Sequence, residues 1–95
     1  MAYNESSLWD ETNEIRCLII FKRLQAEGFP YGRQTGLCRE MAAITHLDYT
    51  NISAKVTNFK SVAGVIGPSN ASSNTREVYA KYGHLSAAEL EALLD

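Results

Sequence analysis

The sequence predicts a mainly α fold: a small helical bundle with a helix-turn-helix-like unit and one short extended segment near 62–66. Three observations carry this prediction. Apolar residues recur at three- and four-residue spacing along most of the chain, as one buried helical face requires. Serine, aspartate or asparagine stands where such runs begin, and glycine where two of them end. The stretch Leu37 to Lys60, LCREMAAITHLDYTNISAKVTNFK, sets two such runs around a tight turn.

Taken in order, Ser6 or Ser7 is placed to cap a long first helix over roughly residues 7–27. Asp10, Glu11 and Glu14 lie near its positive end, and Lys22 and Arg23 lie towards its C-terminus. Leu8, Ile15, Leu18 and Ile19, with Cys17 and Leu24, form a wide inward stripe, and Trp9 packs in the core or at its edge. Gly28 ends this helix, and Phe29-Pro30-Tyr31-Gly32 is a turn-rich connector. The second helix carries Leu37, Met41 and Ile44 on one face, and the third carries Ile52, Val56 and Phe59. Between them Thr45-His46-Leu47-Asp48 forms the turn, with Asp48 or Thr50 capping the third helix. Small Ala42, the turn and the second amphipathic run give the spacing of a helix-turn-helix.

After Phe59 the chain changes character. Ser61 to Ile66 is β-branched and bounded by glycine, which predicts an extended segment. Gly67 to Asn74 is a loop by composition, with Asn74 or Thr75 capping a helix over Arg76–Tyr82 that Gly83 closes. Ser86 and Glu89 make a capping box for a last helix over about residues 86–94. Its Leu90, Leu93 and Leu94 need a partner, either the first helix or another chain.

Ninety-five residues make one domain over 1–95, with ordinary hydrophobic (45%) and charged (21%) fractions that place it among soluble globular proteins. The longest apolar run, Cys17 to Phe21, is far short of the roughly 20 residues that span a bilayer, so no membrane role is expected. MAYNESSLWDE lacks the basic start and apolar centre of a signal peptide, and the two cysteines read as reduced core thiols. A cytoplasmic protein is expected. The net charge of −2 argues against a generic polyanion binder, but its distribution is uneven. Residues 1–27 carry −2 and residues 82–95 carry −3, whereas the middle, 28–81, carries +3. The mild positive charge thus surrounds the helix-turn-helix-like unit, where phosphate contacts would want it.

Catalytic signatures are missing. His46 and His84 have no companion at ligand spacing, no serine or cysteine stands in a recognisable nucleophile frame, and no phosphate-binding glycine motif occurs. The expectation is therefore a non-enzymatic protein with no metal and no cofactor. For contact with duplex DNA the third helix supplies Tyr49, Asn51, Ser53, Lys55, Thr57 and Lys60, once Ile52, Val56 and Phe59 turn inward. Hydroxyls and lysines suit phosphates, and Asn51 near the helix start suits an adenine edge. Arg33 on the flanking loop and Arg39 on the preceding helix would clamp the backbone.

The order of these features resembles the small helical domain ahead of the nuclease in some bacterial HNH-type restriction endonucleases. The resemblance rests on Trp9, Glu14 and Leu18-Ile19-Ile20, the helix ending at Ile44, and the run Asn51-Ile52-Ser53-Ala54-Lys55-Val56-Thr57-Asn58-Phe59-Lys60-Ser61. It continues through Gly67-Pro68-Ser69-Asn70-Ala71-Ser72 to Glu77-Val78-Tyr79, and covers roughly residues 8–82. It implies a DNA-binding domain. Two departures stand out: the sequence ends at Asp95 without a His-Asn-His nuclease, and His46-Leu47-Asp48 occupies the turn where the family pattern has an arginine. They leave room for a protein-binding role. That role would be a phage inhibitor of a bacterial defence complex, of anti-CRISPR or anti-restriction type, or a homodimeric autoregulator pairing through its last helix.

Overall fold

The computed structural model describes residues 9–67 and 71–94. Among them the chain forms five helices and no strand: α1 (Glu11–Glu27), α2 (Arg33–Thr45), α3 (Tyr49–Val62), α4 (Ser73–Tyr82) and α5 (Ala87–Leu94). The mainly α bundle expected from periodicity is what forms. None of these helices is long and apolar enough to cross a membrane.

α1 is the central support, and each of the other four helices packs against it. It is therefore buried around most of its circumference, with Ile15, Cys17, Leu18, Ile19, Ile20, Phe21 and Leu24 all in the core. Full burial of a side chain such as Phe21 or Leu18 contributes about 2 kcal/mol. The helix starts later than its sequence suggests. Asp10 is the N-cap, its carboxylate accepting the Asn13 amide at 2.8 Å, while Ser6, Ser7 and Leu8 lie outside the described residues. A carboxylate that satisfies a free first-turn amide is a sufficient start signal. At the other end Gly28 is left-handed (φ 81°), and the Phe29 amide reaches back to the Leu24 carbonyl at 2.8 Å.

α2 begins at Arg33, behind left-handed Gly32, so Arg33 opens a helix and is not part of a loop. Leu37, Cys38 and Met41 face the core, but Ile44 is 68% exposed, contrary to its spacing. The chain reverses at His46, whose φ of 64° is left-handed, and this carries Leu47 into the core beyond the end of α2. Asp48 then caps α3, accepting the Thr50 amide at 2.7 Å and the Thr50 hydroxyl. Ile52, Val56 and Phe59 are fully buried, as their spacing predicts.

The expected extended segment near 62–66 is absent. α3 runs on to Val62, and left-handed Gly64 (φ 80°) folds the chain back so that the Val65 amide bonds the Lys60 carbonyl at 2.9 Å. With no second strand to pair against, β-branched residues alone do not make a sheet edge. α4 starts at Ser73 with Ser72 as its cap; Asn74 and Thr75 lie inside the helix, and Thr75 is fully buried. Gly83 closes α4 in right-handed geometry, and its lack of a side chain is what allows the close approach, since a Cβ there would lie 2.4 Å from the Tyr79 carbonyl oxygen. The capping box forms as expected: the Ser86 hydroxyl accepts the Glu89 amide, and the Glu89 carboxylate accepts the Ser86 amide, both at 3.1 Å. α5 packs on α1 through fully buried Leu90, with Leu94 partly buried and Leu93 left 52% exposed.

Candidate nucleic-acid interface

α2, the 46–48 turn and α3 form two packed helices joined by three residues, with the Asp48 cap fixing where α3 begins. Side chains between the two helices are tied by Gln34. Its amide nitrogen donates to the Ser53 carbonyl (3.1 Å), the Ser53 hydroxyl (2.9 Å) and the Thr57 hydroxyl (3.2 Å). Its amide oxygen accepts from the Lys60 ammonium at 2.5 Å, and that ammonium also sits 5.3 Å from the centre of the Phe29 ring. Ser53, Thr57 and Lys60 stand at i, i+4 and i+7, so they form one stripe of α3 turned towards α2. They are half-buried, not displayed to solvent as their polarity suggests.

Lys55 departs further from expectation. Its side chain is 17% exposed, and its ammonium lies 2.8 Å from the Glu14 carboxylate of α1 and 3.0 Å from the Thr75 hydroxyl of α4. The Trp9 ring covers it, with the ammonium 5.4 Å from the ring centre. The reason is electrostatic. Glu14 is 2% exposed on the central helix, and a buried carboxylate requires a cation close by. Lys55 therefore turns inward against the core, half-buried.

The remaining predicted residues are on the surface. Tyr49 and Asn51 are exposed in the first turn of α3, beside exposed Thr50 and Ala54. The Arg39 guanidinium of α2 stacks 4.8 Å from the centre of the Tyr49 ring, a cation–π contact that joins the two helices at the turn. Among the described residues Arg39 pairs with no carboxylate, whereas Arg33 bonds Glu27 at 3.1 Å. Of the eight polar residues singled out from the sequence, the fold joins Arg39 to Tyr49 at the turn, leaves Asn51 exposed in the first turn of α3, and directs Ser53, Lys55, Thr57 and Lys60 towards neighbouring helices.

Of two residues that organise this region, Gln34 escaped the sequence reading, and Glu14 entered it as a charge near the start of the first helix and not as a buried anchor. Gln34 lies four residues before Cys38 and so continues the core-facing stripe of α2 by one turn. Glu14 lies four before Leu18, within the inward stripe of α1. A polar residue in register with an apolar stripe is the signal for both.

Among the described residues no three His, Cys, Asp or Glu side chains converge as metal ligands would. Burial pushes the Cys17 thiol far up, reinforced by the charge of Glu14, and burial likewise raises Cys38. Comparison with protein-family models, curated proteins and solved structures finds no match for the chain.

Proposed function

We propose that the chain is a non-enzymatic DNA-binding module that offers the start of α3 to the major groove. The observation that carries this reading is Arg39, a cation without a carboxylate partner among the described residues, held on Tyr49 at the first turn of α3, the turn that also exposes Asn51. A guanidinium suits a phosphate, and an asparagine amide suits an adenine edge. The resemblance read in the sequence to the domain ahead of HNH nucleases would imply the same role. In this reading Lys55, Ser53, Thr57 and Lys60 shape α3 and leave the contacts to Arg33, Arg39, Tyr49 and Asn51.

The test is fluorescence anisotropy of a labelled random duplex at about 50 and 200 mM salt, with affinity compared between wild type, Arg39→Glu and Asn51→Ala. With two arginines at phosphates, the slope of log K against log salt should be about −2. Arg39→Glu should weaken binding at least about tenfold on every duplex, while Asn51→Ala should weaken it only where a preferred sequence is present. Flat anisotropy of the folded wild type would overturn the reading.

A second reading, a protein-binding module of the kind that inhibits a bacterial defence complex, has one observation in its favour. Ser53, Lys55, Thr57 and Lys60 are engaged within the fold, so the outward face of α3 is poor in positive charge. A folded protein that ignores duplex DNA would move the assignment there.

A further inference from the structure

α1, α2 and α5 leave an open groove of about 300 Å³ on a face that the DNA reading does not use. Ile19, Met41 and Leu94 contribute to its apolar lining, and exposed Ile44 stands at its lip. On α1 the lining residues Arg16, Ile19, Ile20 and Arg23 recur at helical spacing, and on α2 so do Leu37, Glu40, Met41 and Ile44. The charges around the groove differ in their pairing. Arg23 is bonded to Glu91 of α5 within the chain. Arg16 on the α1 side and Glu40 on the α2 side have no ionic partner among the described residues. The Arg16 Nε is already sealed from water without an acceptor.

We propose that a second copy of this chain docks on this groove by two-fold symmetry. In an isologous contact each residue i meets j of the partner while j meets i, so one patch must carry both halves of every interaction. This patch does. It has an exposed apolar side chain, Ile44, beside an apolar hollow, and it carries on α1 a cation, Arg16, and on α2 an anion, Glu40, neither with an ionic partner among the described residues. The two-fold inserts Ile44 of each copy into the hollow of the other and brings Arg16 of each to Glu40 of the other. An unrelated partner would need only a complementary surface, with no reason for the patch to match itself. The proposal does not depend on DNA binding.

Sedimentation equilibrium from about 5 to about 500 µM protein tests it, with wild type, Ile44→Asp, Arg16→Glu, Glu40→Arg and the double reversal Arg16→Glu/Glu40→Arg. The wild-type mass should double across this range, and Ile44→Asp should stay monomeric. Each single reversal should weaken association about tenfold or more, and the double reversal should restore it, since it rebuilds both pairs with exchanged signs. Ile44 and Glu40 are exposed, so helical circular dichroism should be unchanged in their variants, which separates loss of pairing from loss of fold. A wild type that stays monomeric throughout, Ile44→Asp that still dimerises, or a double reversal no better than the singles would overturn the proposal.

Discussion

The half-buried Lys55 ammonium of α3 lies 2.8 Å from the buried Glu14 carboxylate of α1. One contact thereby ties the central helix to the helix that would meet DNA, and Thr75 of α4 shares the same ammonium at 3.0 Å. It also holds one of the two lysines of α3 inward.

Removing one partner of such a pair leaves the other charge buried without compensation. Lys55→Ala should therefore destabilise the fold by about 3–5 kcal/mol, and Glu14→Ala by a comparable amount. The double change Glu14→Leu/Lys55→Met should lie much closer to wild type, because apolar groups of similar volume replace both charges. Urea denaturation followed by circular dichroism reads all three. If Lys55→Ala melted like wild type, the ion pair would have no structural weight.

Gln34 makes four hydrogen bonds between α2 and α3, and its replacement should loosen the helix-turn-helix-like unit. Gln34→Ala strands the Lys60 ammonium and the Ser53 and Thr57 hydroxyls, all only half-buried, for an expected loss of about 1–2 kcal/mol. Amide hydrogen exchange should quicken in α2 and α3 before it does in α1.

Two glycines should respond with opposite signs. Gly83→Ala forces a Cβ to within 2.4 Å of the Tyr79 carbonyl oxygen and disturbs the Gly83 carbonyl that accepts from Lys22 at 2.5 Å. A loss of about 1–3 kcal/mol is expected in the midpoint of thermal or urea melts. Gly36→Ala meets nothing within 4 Å inside α2 and should stabilise by about 0.5–1 kcal/mol.

Acid should unfasten two helix starts. Asp48 is held below its ordinary value of 3.8, chiefly by the Thr50 hydroxyl and then by the Thr50 amide. Glu89 is held below 4.5, chiefly by the Ser86 amide and then by the Ser86 hydroxyl. A carboxyl whose folded value is depressed contributes stability that is complete above the unfolded value and is lost as pH falls through the folded one. Tm from these caps should thus be level above about pH 5 and decline as pH drops below 4.5 and then 3.8. Asp48→Asn and Glu89→Gln together should flatten that part of the profile, and an unchanged decline would assign it to other carboxylates.

Much of the fold was legible because helix signals are local. The α3 stripe Ile52, Val56, Phe59, the Asp48 cap, the Gly28 end and the Ser86–Glu89 box each involve residues within one or two turns. The start of α1 at Glu11 and the cap at Ser72 lie a few residues from where the sequence suggests them, because several polar side chains offer equivalent local signals, whereas 62–66 forms the end of α3 and a turn in place of the expected extended segment. The candidate site was less legible. Ser53, Thr57 and Lys60 look like surface residues until Gln34 of another helix claims them, and Lys55 does until Glu14 does.

The sequence alone therefore determined that helices form, roughly where each lies, and most of the apolar stripe each one buries, since periodicity and caps act within a single segment. The tertiary structure decided which polar residues remain on the surface and which apolar ones fail to be covered. Left-handed His46 turns Leu47 into the core and leaves Ile44 at the lip of a groove. Glu14, sealed on a helix surrounded by four others, draws Lys55 inward. Both outcomes depend on which helices meet side by side, and a charge or a methyl group responds to that neighbourhood, not to its place in the chain.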